Sequence, residues 1–260
     1  MNASFDNAAK NYDKTFTNSV IGIAQRKLVY HHFSKILEKK LQKTILEINC
    51  GTGEDAVWLA KQYFQVTATD ISKKMIEVAR SKNKFNNLSF DVLDCNKISQ
   101  KYAPNSFDLI FSNFGGLNCL TPNELQVFFE NASQILTSKA ELVLVIMPKN
   151  PLWEQLYFSL KGKLSESFRR KKEFIIVNVD GREVATHYYN PIDIEQFASS
   201  KFTITAKYPI GFFIPPSYLE PFFNSKPRLF SILNYLEKKI TTFSFLSKYA
   251  DHYIIHLEKK

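Results

Sequence analysis

Ile45-Leu46-Glu47-Ile48-Asn49-Cys50-Gly51-Thr52-Gly53 is an apolar run with an acid inside it that opens directly into a glycine turn. A helical pattern follows, in which Ala56, Val57, Leu59, Ala60 and Phe64 share one apolar stripe. An apolar strand, a glycine-rich turn and a helix in that order build the floor of a nucleotide-cofactor site. A dinucleotide fingerprint would read Gly-x-Gly-x-x-Gly and a phosphate loop would need Gly-Lys-Ser/Thr; neither is present, which argues against a phosphate cradle. Asp70 closes a second strand-like run, Gln65 to Thr69, nineteen residues after Gly51, where a carboxylate would accept hydrogen bonds from a ribose diol. The pairing points to an adenosine cofactor without a pyrophosphate.

Outward from this unit, strands and helices alternate from residue 45 to residue 147, the pattern of a parallel sheet with helices on both faces. Thr44 to Ile48, Gln65 to Thr69, Leu88 to Val92, Phe107 to Phe111 and Glu141 to Met147 read as five strands. Met75, Ile76 and Ala79 form a helical stripe, and Thr121, Pro122 and Glu124 make a capping-box start for a helix reaching about Leu136. The plan changes after Met147. Trp153 to Leu164 reads as helix, and Glu173 to Val179 with Glu183 to Tyr189 alternate around Asp180-Gly181, a favoured type I′ turn. Asn190-Pro191 caps another helix, while Phe202 to Tyr208 and Tyr253 to Leu257 read as two more strands. Pro209 to Phe223 holds too many prolines for regular structure and too many aromatics for an idle loop.

At 260 residues and 45% hydrophobic composition the chain can bury a full core, and its length suits one domain with insertions. Met1 to Lys14 is polar, and the longest strongly apolar run, Leu142 to Met147, is too short to span a bilayer, so the expected location is cytoplasmic. Cys50, Cys95 and Cys119 lack metal or disulfide spacing and read as buried free thiols; no metal is expected. The net charge of +9 is spread over Lys39 to Lys43, Lys161 to Lys172 and the carboxy-terminal lysines. That spread reads as solvated faces, with Lys161 to Lys172 as a docking patch for an anionic membrane surface or a carrier protein.

The opening motif resembles that of the class I S-adenosylmethionine-dependent methyltransferases, whose acidic strand runs into Gly-x-Gly-x-Gly. Asn49 stands where the first glycine would be, and asparagine tolerates a positive φ better than most residues. The resemblance implies an α/β, Rossmann-like fold: a seven-stranded, mostly parallel sheet with helices on both faces, plus a helix and hairpin inserted after the fifth strand. It implies one domain over residues 1–260: an amino-terminal lid (1–43), a cofactor-binding core (44–147), the insertion (148–190) and a carboxy-terminal part (191–260). It also implies S-adenosylmethionine as cofactor. Asn49 and the amides around Gly51 and Gly53 would border the methionine and ribose, with Glu47 organising that loop. Asp70 would hold the ribose hydroxyls, Ile71 and Met75 would press on the adenine, and Asp94 and Cys95 would read its amino group.

Ser112-Asn113-Phe114-Gly115-Gly116-Leu117-Asn118 lacks the Asp/Asn-Pro-Pro-Tyr/Phe motif of amino-methylating enzymes. It looks like the Phe-Gly loop of small-molecule methyltransferases in quinone and biotin biosynthesis, in which Asn113 and Phe114 would line the transfer site. Phe5, Ala9, Tyr12 and Asp13 fit the Phe-x-x-x-Ala-x-x-Tyr-Asp start of many of those enzymes. That segment lids the cofactor, so Tyr12 would contact its methionine moiety and Arg26 would pair with its carboxylate. Phe212, Phe213 and Tyr218 are candidates to hold an apolar acceptor. His187 is the candidate base, with Tyr188 beside it to orient a hydroxyl, whereas His31 and His32 read as part of a surface helix.

The expected function is methyl transfer to oxygen or carbon of a small, apolar or aromatic acceptor, free or bound to lipid or carrier. A nucleic-acid methyltransferase is the alternative among enzymes; the basic balance favours it and the missing amine-gripping motif opposes it. A cofactor-binding protein that has lost its chemistry is the alternative outside enzymes, with Asn49 as its one hint.

Overall fold

The computed structural model describes residues 5–38 and 44–260, so the basic stretch Lys39 to Lys43 lies outside the described residues. In chain order the strands are β1 (Thr44–Ile48), β2 (Gln65–Asp70), β3 (Leu88–Val92), β4 (Phe107–Ser112), β5 (Leu136–Ile146), β6 (Ile175–Val179), β7 (Arg182–Thr186), β8 (Phe202–Ile210) and β9 (His252–Lys259). Seven of them form one sheet in the order β3-β2-β1-β4-β5-β9-β8, while β6 and β7 pair as a separate hairpin. β9 alone is reversed in the sheet, pairing antiparallel with both β5 and β8.

The central strands are apolar at nearly every position because helices cover both faces. Successive side chains alternate between two cores. Ile45, Leu109, Phe111 and Val143 face one layer, where Phe33 of helix Val20–Leu37 stacks on Phe111 with ring centroids 4.4 Å apart. Leu46, Ile110, Leu142 and Leu144 face the other, under Phe128 and Phe129 of helix Pro122–Ile135. Each such buried side chain contributes about 1.5 to 3 kcal/mol.

Local chemistry sets the remaining boundaries. The capping box at Thr121 and Glu124 forms as its sequence implies. Asp180 and Gly181 take φ of 46° and 83°, the two left-handed residues that a type I′ turn needs. The structure departs from expectation at several places. β5 begins at Leu136 instead of Glu141. β8 runs on through Pro209, which an edge strand tolerates. Glu220–Asn224 is a short helix within the segment expected to be irregular, with Pro221 in its first turn, where a missing N–H is no loss. Helix Pro227–Ile240 follows. His32, on the helix expected at the surface, is buried and stacked on Tyr208 at 4.3 Å, and burial pushes its imidazole pKa down to about 3.

Candidate functional site

The sheet order reverses direction between β1 and β4, and the loops leaving the carboxyl ends of β1 to β4 open around a cavity of about 320 Å³. Asn49 and Gly51 come from the first loop and Asp70 and Ile71 from the second. Asp94, Cys95 and Asn96 come from the third, and Asn113, Phe114, Gly115 and Gly116 from the fourth. Met75 adds to the wall from the helix after β2. Ten of the residues singled out in the sequence thereby meet in one place: Tyr12, Asn49, Gly51, Asp70, Ile71, Met75, Asp94, Cys95, Asn113 and Phe114.

The glycine turn is left-handed at Asn49, Gly51 and Gly53, with φ of 54°, 53° and 79°. Asparagine can hold the first of these positions because its short polar side chain tolerates that conformation. Its Nδ2 lies 3.4 Å from Ser112 Oγ, and its Cβ would stand 2.5 Å from a Cβ placed on Gly116. Gly116→Ala is therefore expected to push the turn and weaken cofactor binding by on the order of 1 kcal/mol. Asn49→Gly in the same chain should restore affinity, and calorimetry on the single and double variants checks the coupling.

Asp70 fixes the loops to one another. One carboxylate oxygen accepts the Gly51 N–H at 2.9 Å and the other accepts the Ser72 N–H at 2.8 Å. Each oxygen retains acceptor capacity toward the cavity. Burial raises its pKa, against the pull of the two amides. Asp94 accepts the Asn96 N–H at 2.9 Å and so shapes the third loop.

The amino-terminal segment closes over this floor. Phe5 and Tyr12 line the cavity, and Ala8 and Ala9 pack on Met75. The Ser72 hydroxyl donates to Asp6, while the Thr52 hydroxyl and the Lys82 ammonium, the latter at 2.7 Å, donate to Asp13. Asn7 Nδ2 donates to the Asp180 carbonyl at 3.3 Å, and Val184 of β7 reaches the cavity wall, so lid and hairpin meet. Burial pushes the Tyr12 phenol up to about 12, which leaves it a hydrogen-bond donor near neutral pH.

Behind the wall lies a buried polar nest centred on Asp55. It accepts from Arg26 Nε at 2.9 Å, Tyr30 hydroxyl at 2.6 Å and Asn113 Nδ2 at 3.0 Å. Asp55 was not foreseen, because an acid in a first helical turn reads as complementing the helix dipole. Its role depends on three groups brought from other segments. Arg26, whose guanidinium carbon sits 5.1 Å from the Phe114 ring centroid, belongs to this nest and not to the cavity lining. Glu47 likewise sits outside the lining, and burial, followed by the charge of Asp55, raises its pKa well above the usual range.

Other candidates are placed elsewhere. Gly53 is pressed against Phe90 and Ala79, where a Cβ would come within 2.8 Å and 3.0 Å, so its contribution is close packing of the turn. His187 shares a hydrogen bond of 3.0 Å between Nδ1 and the Glu173 carbonyl, and the Arg170 guanidinium lies 4.8 Å from the centroid of Tyr188. Neither side chain lines the cavity. Phe212, Phe213 and Tyr218 do not line it either. The loop that carries the first two folds its backbone amides, from Gly211 through Ile214, onto the Glu237 carboxylate, and Tyr218 packs on Tyr157. Lys161 to Lys172 is also not uniformly solvated: Arg170 is buried between Glu154 and Asp251, at 2.9 Å and 3.1 Å.

The donor set fits S-adenosylmethionine. Asp70 offers acceptors for a ribose diol, and Ile71, Met75 and Cys95 offer an apolar slot for a flat base. Among the described residues, Arg26 Nη1 and Glu47 Oε2 are buried without a hydrogen-bond partner. That donor and acceptor are what the zwitterionic amino-acid end of the cofactor would need.

Residues 45–139 match the family model of a methyltransferase domain. The chain is 27% identical over 158 residues to the demethylmenaquinone methyltransferase of Staphylococcus haemolyticus, covering 59% of this chain and 64% of that protein. It is 31% identical over 115 residues to the malonyl-[acyl-carrier protein] O-methyltransferase of Bacillus cereus, covering 42% and 39%. The aligned region thus spans less than two thirds of either relative. An S-adenosylmethionine-dependent methyltransferase of Methanosarcina mazei superposes with a TM-score of 0.59 at 17% identity, over 86% of this chain and 96% of that one, a likeness of fold. The motif, the sheet order and the donor set agree with the family match: residues 45–139 are similar to the methyltransferase domain of the class I S-adenosylmethionine-dependent enzymes, and the cavity's donors fit S-adenosylmethionine as cofactor.

Proposed function

We propose that the chain methylates oxygen or carbon of a small, apolar or aromatic acceptor. The observation that carries this reading is the wall beyond Asn113, where Phe5, Phe114, Cys119, Leu120 and Val184 enclose the cavity. S-adenosylmethionine supplies an activated methyl group on a sulfonium that carries its own leaving group. The protein then has to hold an acceptor in line and exclude water. Asp70 and Asp94 would hold the nucleoside, Arg26 and Glu47 the amino-acid end, and Tyr12 and Phe5 would cover both. Asn49 supports an intact cofactor turn, since it takes the left-handed conformation the motif requires.

No histidine, lysine or arginine lines the cavity among the described residues, and Glu124 is engaged in the Thr121 capping box. Burial raises the pKa of the Cys119 thiol to about 11, so it stays protonated near neutral pH. This arrangement suits an acceptor that arrives ionised or as an activated carbon nucleophile, such as a carboxylate, an acidic phenol or a hydroquinone. The two relatives named for demethylmenaquinone and for malonyl-acyl carrier protein favour the same classes. A carrier-bound acceptor is a variant of this reading.

The test is release of S-adenosylhomocysteine from purified protein supplied with hydroquinones, phenols, carboxylic acids and transfer RNA. Turnover should appear with one of the small classes and rise with pH through the acceptor's own pKa, and His187→Ala should keep it. A pKa near 6.5 that is independent of the acceptor and lost in His187→Ala would restore the histidine as base. Turnover confined to RNA would overturn the reading.

A further inference from the structure

We infer that the face built by residues 152–172 and 217–248 docks in the plane of an anionic lipid bilayer. Its helices turn apolar side chains outward. Leu152, Leu156, Leu160, Leu164 and Phe168 recur every four residues, and all are exposed, Leu160 by 79% and Leu164 by 64%. On helix Pro227–Ile240 the exposed set is Leu229, Ile232, Tyr235 and Leu236, the spacing of one helical stripe, and Phe243 and Phe245 extend it. Trp153 packs on Phe223 at 5.9 Å, Tyr157 packs on Tyr218 at 5.4 Å, and the Leu152 N–H donates to the Tyr249 carbonyl at 2.9 Å. These contacts set the first segment against the start of the second and the residue that follows it. Apolar stripes facing water in this way mark an interaction site.

The charges on this face decide what occupies it. Its acids are mostly consumed internally. Glu154 is paired with Arg169 and Arg170, Glu220 accepts the first two amides of helix Val20–Leu37, and Glu237 accepts four loop amides. Glu166 is the one acid left in the two segments. Lys161, Lys163, Lys171 and Lys172 stay exposed on the first, and Lys226, Arg228, Lys238, Lys239 and Lys248 on the second.

These cations also sit beside the aromatic rings. Lysine ammonium groups lie over ring centroids at 4.5 Å for Lys161 on Tyr157, 4.7 Å for Lys171 on Phe168, 5.2 Å for Lys226 on Phe222 and 5.2 Å for Lys239 on Tyr235. An apolar body with a cationic tip at one level is how a side chain sits at a headgroup boundary, with its carbon below and its charge among phosphates. A second copy docking by two-fold symmetry would set these cations against one another. An acidic protein would answer the charge but would have to match every protruding leucine and phenylalanine in shape, whereas lipid tails conform to any arrangement. No helix of the described residues is long and apolar enough to cross a membrane, so attachment would lie along the surface.

The experiment is co-sedimentation of the full chain with vesicles of phosphatidylcholine alone or with phosphatidylglycerol added. Binding should be about tenfold or more tighter to the anionic vesicles and should weaken with salt. Ile232→Asp with Leu236→Asp, and separately Leu160→Asp with Leu164→Asp, should each lower that binding about tenfold or more. Calorimetric affinity for S-adenosylmethionine should be unchanged in both pairs, which shows them folded and keeps this test separate from that of the acceptor. Equal binding to both vesicle types would overturn the proposal, as would anionic binding indifferent to the aspartates. Sedimentation equilibrium showing a dimer that the aspartates dissolve, or capture by an acidic carrier protein without vesicle binding, would overturn it as well.

Discussion

Arg170→Met is expected to cost the fold about 3 to 5 kcal/mol, because it leaves two buried carboxylates without their shared cation. Arg170 Nε donates to Glu154 at 2.9 Å, and its Nη2 reaches Asp251 Oδ1 at 3.1 Å, with all three side chains nearly excluded from water. Glu154 lies on helix Leu152–Leu160 and Asp251 immediately precedes β9. Gln25 of helix Val20–Leu37 donates to the same Asp251 at 3.2 Å, so the guanidinium ties the insertion to Asp251, which in turn holds the lid-bearing helix. Burial pushes the Asp251 carboxyl up, but His252, Arg170 and Gln25 together hold it well below the usual carboxylate range. A depressed carboxylate stabilises the fold above its unfolded pKa, near 4, and that contribution is lost as pH falls through the lower folded value. Urea unfolding at neutral pH should therefore show the full loss in Arg170→Met. Lys171→Gln with Lys172→Gln should change stability by no more than about 0.5 kcal/mol. Equal, small effects of both would mean that the cluster is solvated after all.

That cluster also shows where reading the chain alone falls short. Local patterns carried the core strands, the capping box at Thr121 and the type I′ turn at Asp180, because each is decided by residues adjacent in sequence. The cavity floor was legible for the same reason. Asn49, Asp70, Asp94 and Asn113 sit at or just beyond the carboxyl ends of four neighbouring parallel strands, and such strand ends converge by topology. Arg170 was not legible, since Arg169-Arg170-Lys171-Lys172 looks like a solvated run and its buried partners lie 16 and 81 residues away. Asp55 was hidden likewise, its meaning supplied by Arg26, Tyr30 and Asn113. The aromatic segment after β8 misled in the opposite direction. Its proline-rich sequence suggested a roof over an acceptor, but Glu237, on a helix that the pattern did not announce, gathers its amides and turns it into a structural clasp.

Asp70→Ala is expected to weaken S-adenosylmethionine binding by about 1.5 to 3 kcal/mol, the range for hydrogen bonds to a charged group. Two losses combine in that figure. The ribose would lose its acceptor, and the Gly51 and Ser72 amides, now held at 2.9 Å and 2.8 Å, would lose the group that orders the loops around them. Asp70→Asn separates the two, because an amide oxygen can still take one backbone N–H while the charge is gone; its loss should fall between the native protein and the alanine variant. The pH dependence follows from the raised pKa of the free carboxyl. Ribose hydroxyls donate to the ionised form, so affinity should fall as pH drops through that raised value, with proton release on binding in the same window. Calorimetry in buffers of different ionisation enthalpy reads both quantities. Unchanged affinity in Asp70→Ala, with circular dichroism showing a native fold, would reduce Asp70 to a helix-capping residue and move the ribose contact elsewhere in the cavity.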